Sequence, residues 1–81
     1  MRRASVSIIA NIAEGFGRIS IKEKLNFYNL AHGSLTELQS HVYISNDLNY
    51  VSSEDLKKFL ETTYNVQALL LGLIRSTQKR L

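Results

Sequence analysis

A periodic pattern between positions 56 and 77 limits what this chain can fold into more than any other feature of its sequence. Mostly apolar residues recur there at alternating steps of three and four: Leu56, Phe59, Thr63, Val66, Leu70, Leu73 and Thr77. Steps that average 3.5 keep side chains on one face of an α-helix, whereas a half-buried β-strand needs alternation at every second position. The sequence contains no proline that would interrupt such a helix. The pattern therefore predicts one long helix over about residues 53–80.

Two further stripes with similar spacing precede it. The first comprises Val6, Ile9, Ile12 or Ala13, and Phe16, and the second comprises Leu25, Tyr28, Ala31, Leu35, Leu38 and Val42. Each is typical of an amphipathic helix, and no segment alternates as a strand does. The predicted fold class is all-α: a single domain over 1–81, folded as an antiparallel up-and-down helical bundle with helices at about 2–15, 21–48 and 53–80.

The first turn contains residues that end and begin helices. Gly15 or Gly17 is expected to adopt the left-handed conformation that closes the first helix. Ser20 and Glu23 have the S-x-x-E form of a capping box, in which each side chain accepts a hydrogen bond from the other residue's backbone N–H. The first helix is about half as long as the other two. We therefore expect apolar surface to be exposed where it does not reach them, and such a patch favours a partner.

Composition excludes several classes of function. Without cysteine there is no disulfide, thiolate metal site or cysteine nucleophile. The glycines at 15–17 lack the remaining residues of a dinucleotide loop or P-loop. His32 and His41 are nine residues apart and face opposite sides of one helix, so they cannot share a metal. We expect no enzyme activity, cofactor, metal or small-molecule substrate. With no membrane span or signal peptide in the sequence, the expected compartment is the cytoplasm.

Charge is segregated along the chain. Residues 1–24 carry a net charge of +3, residues 25–74 carry −3 and residues 75–81 carry +3. In an up-down-up bundle the first turn and the end of the third helix lie at the same end. That end would hold Arg18, Lys22, Lys24, Arg75, Lys79 and Arg80. The cluster predicts a nucleic-acid-binding surface, and the alternative is that these cations complement helix dipoles and aid solubility.

Four other polar positions each allow two interpretations of their role. Arg2 and Arg3 fall at the opposite end of the first helix, where each would bind a phosphate or a carboxylate. Asn11 and Glu14 share a helix face and would form either a polar site or structural contacts, with both bonding across helices or Glu14 pairing with Arg18. The structural interpretation is favoured because no third catalytic group is identifiable. The tyrosines at 28, 43, 50 and 64 have few cations between them and are expected to pack rather than stack on bases.

The most specific motif in the chain is N-I-A-E-G-F-G-R at residues 11–18. It follows R-R-A at 2–4 and precedes K-E at 22–23, F-Y at 27–28 and G-S-L-T-E-L at 33–38. Together these segments resemble the four-helix bundle family encoded in 23S ribosomal RNA intervening sequences, over nearly all of the chain. The same bundle is similar to the accessory variability protein of diversity-generating retroelements, which binds nucleic acid and the reverse transcriptase.

The resemblance implies a structure and an assembly. It implies that Asn11, Glu14, Gly15 and Gly17 are structural motif positions of a four-helix bundle. In that family another helix precedes the double arginine, so the first helix is expected to be absent from this chain. The resemblance also implies a ring-shaped homo-oligomer, with a pentamer favoured. Ile9 stands where many family members have proline, so a kink in the first helix is not expected.

Two functions follow from these observations. The leading hypothesis is a non-enzymatic, ribosome-associated bacterial homo-oligomer that binds RNA or DNA through its basic surface. The alternative is a structural adaptor whose apolar helix faces bind a protein partner such as a reverse transcriptase. Nucleic-acid binding should weaken steeply as the salt concentration rises, whereas apolar association should persist.

Overall fold

The computed structural model describes residues 2–81, except for the side chains of Arg2 and Ala4. It contains three α-helices: α1 (Arg2–Gly17), α2 (Ile21–Asp47) and α3 (Ser53–Gln78). Over the described residues there are helices and turns and no strand, which confirms the all-α fold class. Relative to the predicted bounds, α1 ends two residues later, α2 one residue earlier and α3 two residues earlier.

The glycines of the first turn do not end α1 as predicted. Gly15 and Gly17 both lie within α1, and neither they nor the other glycines have a positive φ. The prediction of a left-handed glycine at this helix end is therefore wrong. Gly15 is buried instead, and a Cβ atom built on it would lie 2.8 Å from Cδ1 of Tyr28 and closer still to Cε1. Glycine at position 15 lets α1 approach the tyrosine ring of α2.

The carbonyl groups at the end of α1 bind a lysine. The Nζ atom of Lys24 donates to the carbonyl oxygens of Gly15 at 3.1 Å and Phe16 at 3.2 Å. The last carbonyls of a helix have no partner within it, and a cation there also interacts favourably with the helix dipole. Lys24 therefore caps the end of α1, the role that was predicted for a left-handed glycine.

The left-handed residue of this fold lies in the second turn. Asn49 has a φ of 64°, the only positive value among the described non-glycine residues. The N–H of Tyr50 donates to Ser45 O and the N–H of Asn49 donates to Asn46 O, both at 2.9 Å. This pair of bonds is the Schellman motif, with Asn49 in the position that glycine usually occupies. Asparagine tolerates the left-handed region better than most residues do.

Serine caps begin α2 and α3. The Oγ atom of Ser20 accepts from the N–H of Glu23 at 3.3 Å, and the Oγ atom of Ser52 accepts from the N–H of Asp55 at 3.1 Å. The serine half of the predicted capping box is therefore confirmed. The carboxylate of Glu23 lies 3.9 Å from the guanidinium of Arg18. Each cap of this kind stabilises a helix by about 1 kcal/mol.

The three helices form a layer with α2 in the centre. Over residues 2–81, backbone contacts join α1 to α2 and α2 to α3, whereas no backbone contact joins α1 to α3. Each neighbour is antiparallel to α2. Along α1, Ser7 meets Ser34 and the later Gly15 meets the earlier Tyr28. Along α3, Thr63 meets Gln39 and the later Gln67 meets the earlier His32. The Cα atoms span 45 × 20 × 13 Å. The layer is thus open between its outer helices.

The core lies along the central helix. Its buried cluster comprises Ile8, Tyr28, Ala31, Leu35, Leu38, Leu70 and Ile74. The stripe predicted for α2 is buried from Tyr28 to Val42. The stripe predicted for α1 is wrong in its phase: Val6, Ile9 and Phe16 are more than half exposed, whereas Ile8 is buried. The cause is that the backbone of α1 lies beside α2 and not beside α3, so only one narrow side of α1 is covered.

One side of the contact between α2 and α3 is polar. The Nε2 atom of Gln39 donates to Thr63 Oγ1 at 3.1 Å and to Gln67 Oε1 at 3.4 Å, and Gln67 Nε2 lies 3.4 Å from His32 Nε2. Thr63 in turn donates to Leu60 O at 2.9 Å. These bonds satisfy polar groups that lie partly or fully inside the helix contact.

Two tyrosines continue this polar side. The hydroxyl groups of Tyr43 and Tyr64 lie 3.4 Å apart, and this hydrogen bond, together with desolvation, raises the pKa of Tyr43 above its usual 10.0. The prediction that all four tyrosines are packing residues holds for Tyr28, which is 1% exposed, and is wrong for Tyr50, which is 81% exposed in the second turn.

We expect the substitution Tyr64→Phe to lower the pKa of Tyr43 toward 10, measured from tyrosinate absorbance during an alkaline titration. Since the folded state raises this pKa, the stability it contributes is fully present below pH about 10 and is lost as the pH rises through the folded value. The control Tyr50→Phe removes an exposed hydroxyl in the turn and should leave the Tyr43 titration unchanged. An unaltered Tyr43 pKa in Tyr64→Phe would contradict the hydrogen bond.

Candidate nucleic-acid interface

The antiparallel packing brings the two basic segments to one end of the layer. This basic end holds Arg18, Lys22, Lys24, Arg75, Lys79 and Arg80, with Glu14 and Glu23 as its acidic residues. Six cations less two carboxylates leave a net charge of +4 there. The six positions do not have equivalent surroundings, however, and their contacts divide them into two groups.

Arg18 is held by groups of its own protein. Its Nη2 atom donates to Oε2 of Glu14 at 3.1 Å, and its Nη1 atom lies 3.9 Å from Glu23 Oε2. Its guanidinium carbon also lies 5.0 Å from the centre of the Phe27 ring, at cation–π distance. The predicted pairing of Glu14 with Arg18 is confirmed. The two carboxylates neutralise Arg18 locally, which makes it a weaker phosphate ligand than the sequence indicates.

Lys24 is likewise occupied, because its ammonium group caps α1 and its side chain is half-buried. The other four cations, Lys22, Arg75, Lys79 and Arg80, are exposed. None of these four lies within ion-pair distance of a carboxylate in the described part of the chain. The basic end therefore presents four cations whose charge is free to meet an anion from solution.

The structure does not bring Arg3 to the basic end. Because Ser7 of α1 contacts Ser34 near the middle of α2, the start of α1 lies beside the central helix, away from the first turn. Arg3 is exposed there. The side chain of Arg2, which the sequence also proposed for phosphate binding, lies outside the described residues.

Asn11 makes local contacts. Its Nδ2 atom donates to the carbonyl oxygen of Ser7 at 2.8 Å and to the hydroxyl of Ser7 at 3.1 Å. The same hydroxyl lies 3.1 Å from that of Ser34 in α2. Asn11 therefore bonds within α1, and Ser7 makes the link across the helices that the sequence assigned to Asn11. Together with the Glu14–Arg18 pair, these bonds give Asn11 and Glu14 structural partners.

An apolar groove runs between α1 and α3, with α2 as its floor. It has a volume of about 270 Å³ and is lined by Ser5, Ile8, Ile9, Ile12, Leu35, Leu38, Phe59, Thr62, Thr63 and Val66. The sequence predicted exposed apolar surface along the part of α2 and α3 that α1 does not reach, whereas this groove lies alongside α1. The sequence indicates part of this groove through the apolar spacing of Ile9 and Ile12 in α1 and of Phe59 and Val66 in α3. That the backbones of these two helices stay apart is seen only in the structure.

The described residues contain no group of three or more histidine, aspartate or glutamate side chains placed to hold a metal ion. No helix formed by residues 2–81 combines the length and the hydropathy that a membrane span requires.

The fold and its two surfaces define a class of small all-α proteins built around a central helix, with a basic end and an apolar groove. Residues 1–72 match the family model described as 23S rRNA-intervening sequence protein. The match covers most of the 81 residues, and the chain belongs to this family. A search of curated proteins found no match, and a search of solved structures found none either.

Proposed function

We propose that this protein is a non-enzymatic, homo-oligomeric four-helix-bundle protein that binds RNA or DNA through its basic end. The observation that supports the proposal is the group of four exposed, unpaired cations at that end. Assembly of several copies around an axis, with a pentameric ring favoured, would repeat this group and concentrate positive potential on one rim. Such a rim attracts phosphates far more strongly than one subunit does.

The position of Lys22 favours phosphate binding over the alternative that these cations only complement helix dipoles. Arg75 lies in the last turn of α3, where a cation stabilises the helix. Lys22 lies in the first turn of α2, where the helix dipole is positive and a cation is unfavourable. Dipole complementarity therefore accounts for Arg75 and does not account for Lys22. An anionic partner would compensate for the charge at both positions.

Two pairs of adjacent cations provide a matched test, one pair just after the end of α3 and the other near its start. We expect Lys79→Ala/Arg80→Ala to weaken binding of a labelled RNA and to lower the slope of log affinity against log salt by about 1.4–1.8, because each lost phosphate contact removes about 0.7–0.9 from it. Lys57→Ala/Lys58→Ala removes the same charge at the other end of α3 and should keep the slope. Fluorescence anisotropy at several salt concentrations measures both. Equal slopes in the two variants would refute the basic end as the binding surface.

A second candidate function is that of an adaptor that binds a protein partner in the apolar groove. The observation that favours it is the open surface between α1 and α3, where Ile9 is 69% exposed. Soluble proteins rarely leave such a surface uncovered unless another molecule binds there. A helix seated in the groove would contact all three helices and complete a four-helix bundle. The proposed compartment for either function is the cytoplasm.

A further inference from the structure

Phe16 is an exposed aromatic residue at the basic end. It lies in the last turn of α1, and 62% of its surface is open to solvent. Its ring packs edge-on against that of Tyr28, with the ring centres 5.9 Å apart and the planes at 68°. Tyr28 is itself 1% exposed and belongs to the core cluster, whose packing restrains its ring. Much of the Phe16 ring therefore remains accessible while its position is fixed.

The backbone beneath this ring is fixed as well. Lys24 donates to the carbonyl oxygens of Gly15 and Phe16, which ties the last turn of α1 to α2. An exposed phenylalanine gains little by packing, and Phe16 is not among the residues that line the apolar groove. Lys22 lies on the neighbouring helix α2, and Lys79 and Arg80 follow the last residue of α3 at the same end of the layer.

We propose that Phe16 is a stacking platform for an unpaired nucleobase and that the basic end therefore selects single-stranded nucleic acid over duplex. The inference rests on the proposed nucleic-acid function and names the substrate class of the same site. Sequence-tolerant binding of single strands combines cations that follow the phosphates with aromatic rings on which bases stack. In a duplex the bases are already stacked on one another and present phosphates to the protein. The ring at position 16 can thus add affinity for a single strand alone.

The test compares a labelled single-stranded RNA with the duplex of the same sequence, using Phe16→Leu and wild-type protein. Leucine keeps apolar volume and helix propensity but removes the aromatic face. We expect Phe16→Leu to weaken single-strand binding about 5- to 150-fold, the range found when one stacked base is lost. The salt slope should stay unchanged because no phosphate contact is removed. Phe16→Tyr, which keeps a ring, should retain wild-type affinity.

Tyr50 provides the control, because it is an exposed aromatic residue in the turn at the other end of the layer. Tyr50→Leu should leave both affinities unchanged. Full single-strand affinity in Phe16→Leu, or equal losses for single strand and duplex, would overturn the stacking site. If the salt slope still falls in Lys79→Ala/Arg80→Ala, the basic end survives that failure. If wild-type protein binds neither RNA at low salt, the proposed function fails first and the stacking site fails with it.

Discussion

Replacing Gly15 with alanine is expected to destabilise the protein by about 1–3 kcal/mol, the usual range when a side chain is forced into a filled site. The added Cβ atom would lie 2.8 Å from Cδ1 of Tyr28 and closer still to Cε1. Relief requires either that the tyrosine ring moves or that α1 retreats from α2. The ring is 1% exposed and belongs to the core cluster, so its movement disturbs its neighbours. Urea denaturation followed by circular dichroism measures the loss.

Two other glycines provide controls for this prediction, because alanine at those positions should raise the stability of the protein and not lower it. Gly33 in α2 and Gly72 in α3 have no atom within 4 Å of a built Cβ. Alanine at either position should stabilise the protein by about 0.5–1 kcal/mol, since it removes the entropic cost of ordering glycine in a helix. A gain in stability in all three variants would contradict the close packing of Gly15 against Tyr28. A loss confined to Gly15→Ala would establish it.

Gly15 also shows which features of the fold can be predicted from the sequence and which cannot. The apolar spacing predicted three helices and their approximate bounds, because periodicity is a local property of the chain. The reason for a glycine at position 15 lies in a ring thirteen residues away, and no local pattern contains it. The prediction of which face of α1 is buried is wrong, and the reason is related. Spacing shows which residues share a face, whereas the neighbours determine which face is covered.

The candidate site shows the same division. The topology of three antiparallel helices was enough to predict that the two basic segments share one end. It could not show that Arg18 binds Glu14 and stacks on Phe27, or that Lys24 binds the carbonyls of α1. Those contacts depend on how far each long side chain reaches and in which rotamer. They reduce six predicted binding cations to four that are unpaired.

The apolar groove leads to the second large effect: Ile9→Glu should weaken any association through the groove by about 100-fold or more. Ile9 is 69% exposed in the isolated chain, so a glutamate there stays hydrated and should leave the stability of the subunit nearly unchanged. Once a partner covers the groove, the carboxylate is buried without a matching cation, which costs several kcal/mol. Each 1.4 kcal/mol is a tenfold loss of affinity.

Ile44→Glu is the matched control, because Ile44 is 55% exposed and is not among the residues that line the groove. Sedimentation at low and high salt should show assembly of wild-type protein and Ile44→Glu at both salt concentrations, since apolar burial is little screened. Ile9→Glu should dissociate at both. Assembly of Ile9→Glu equal to that of wild type would exclude the groove as the contact between copies. A wild type that stays monomeric at both salt concentrations would contradict the homo-oligomer, and the groove would then bear only on the second candidate function, the binding of a different protein.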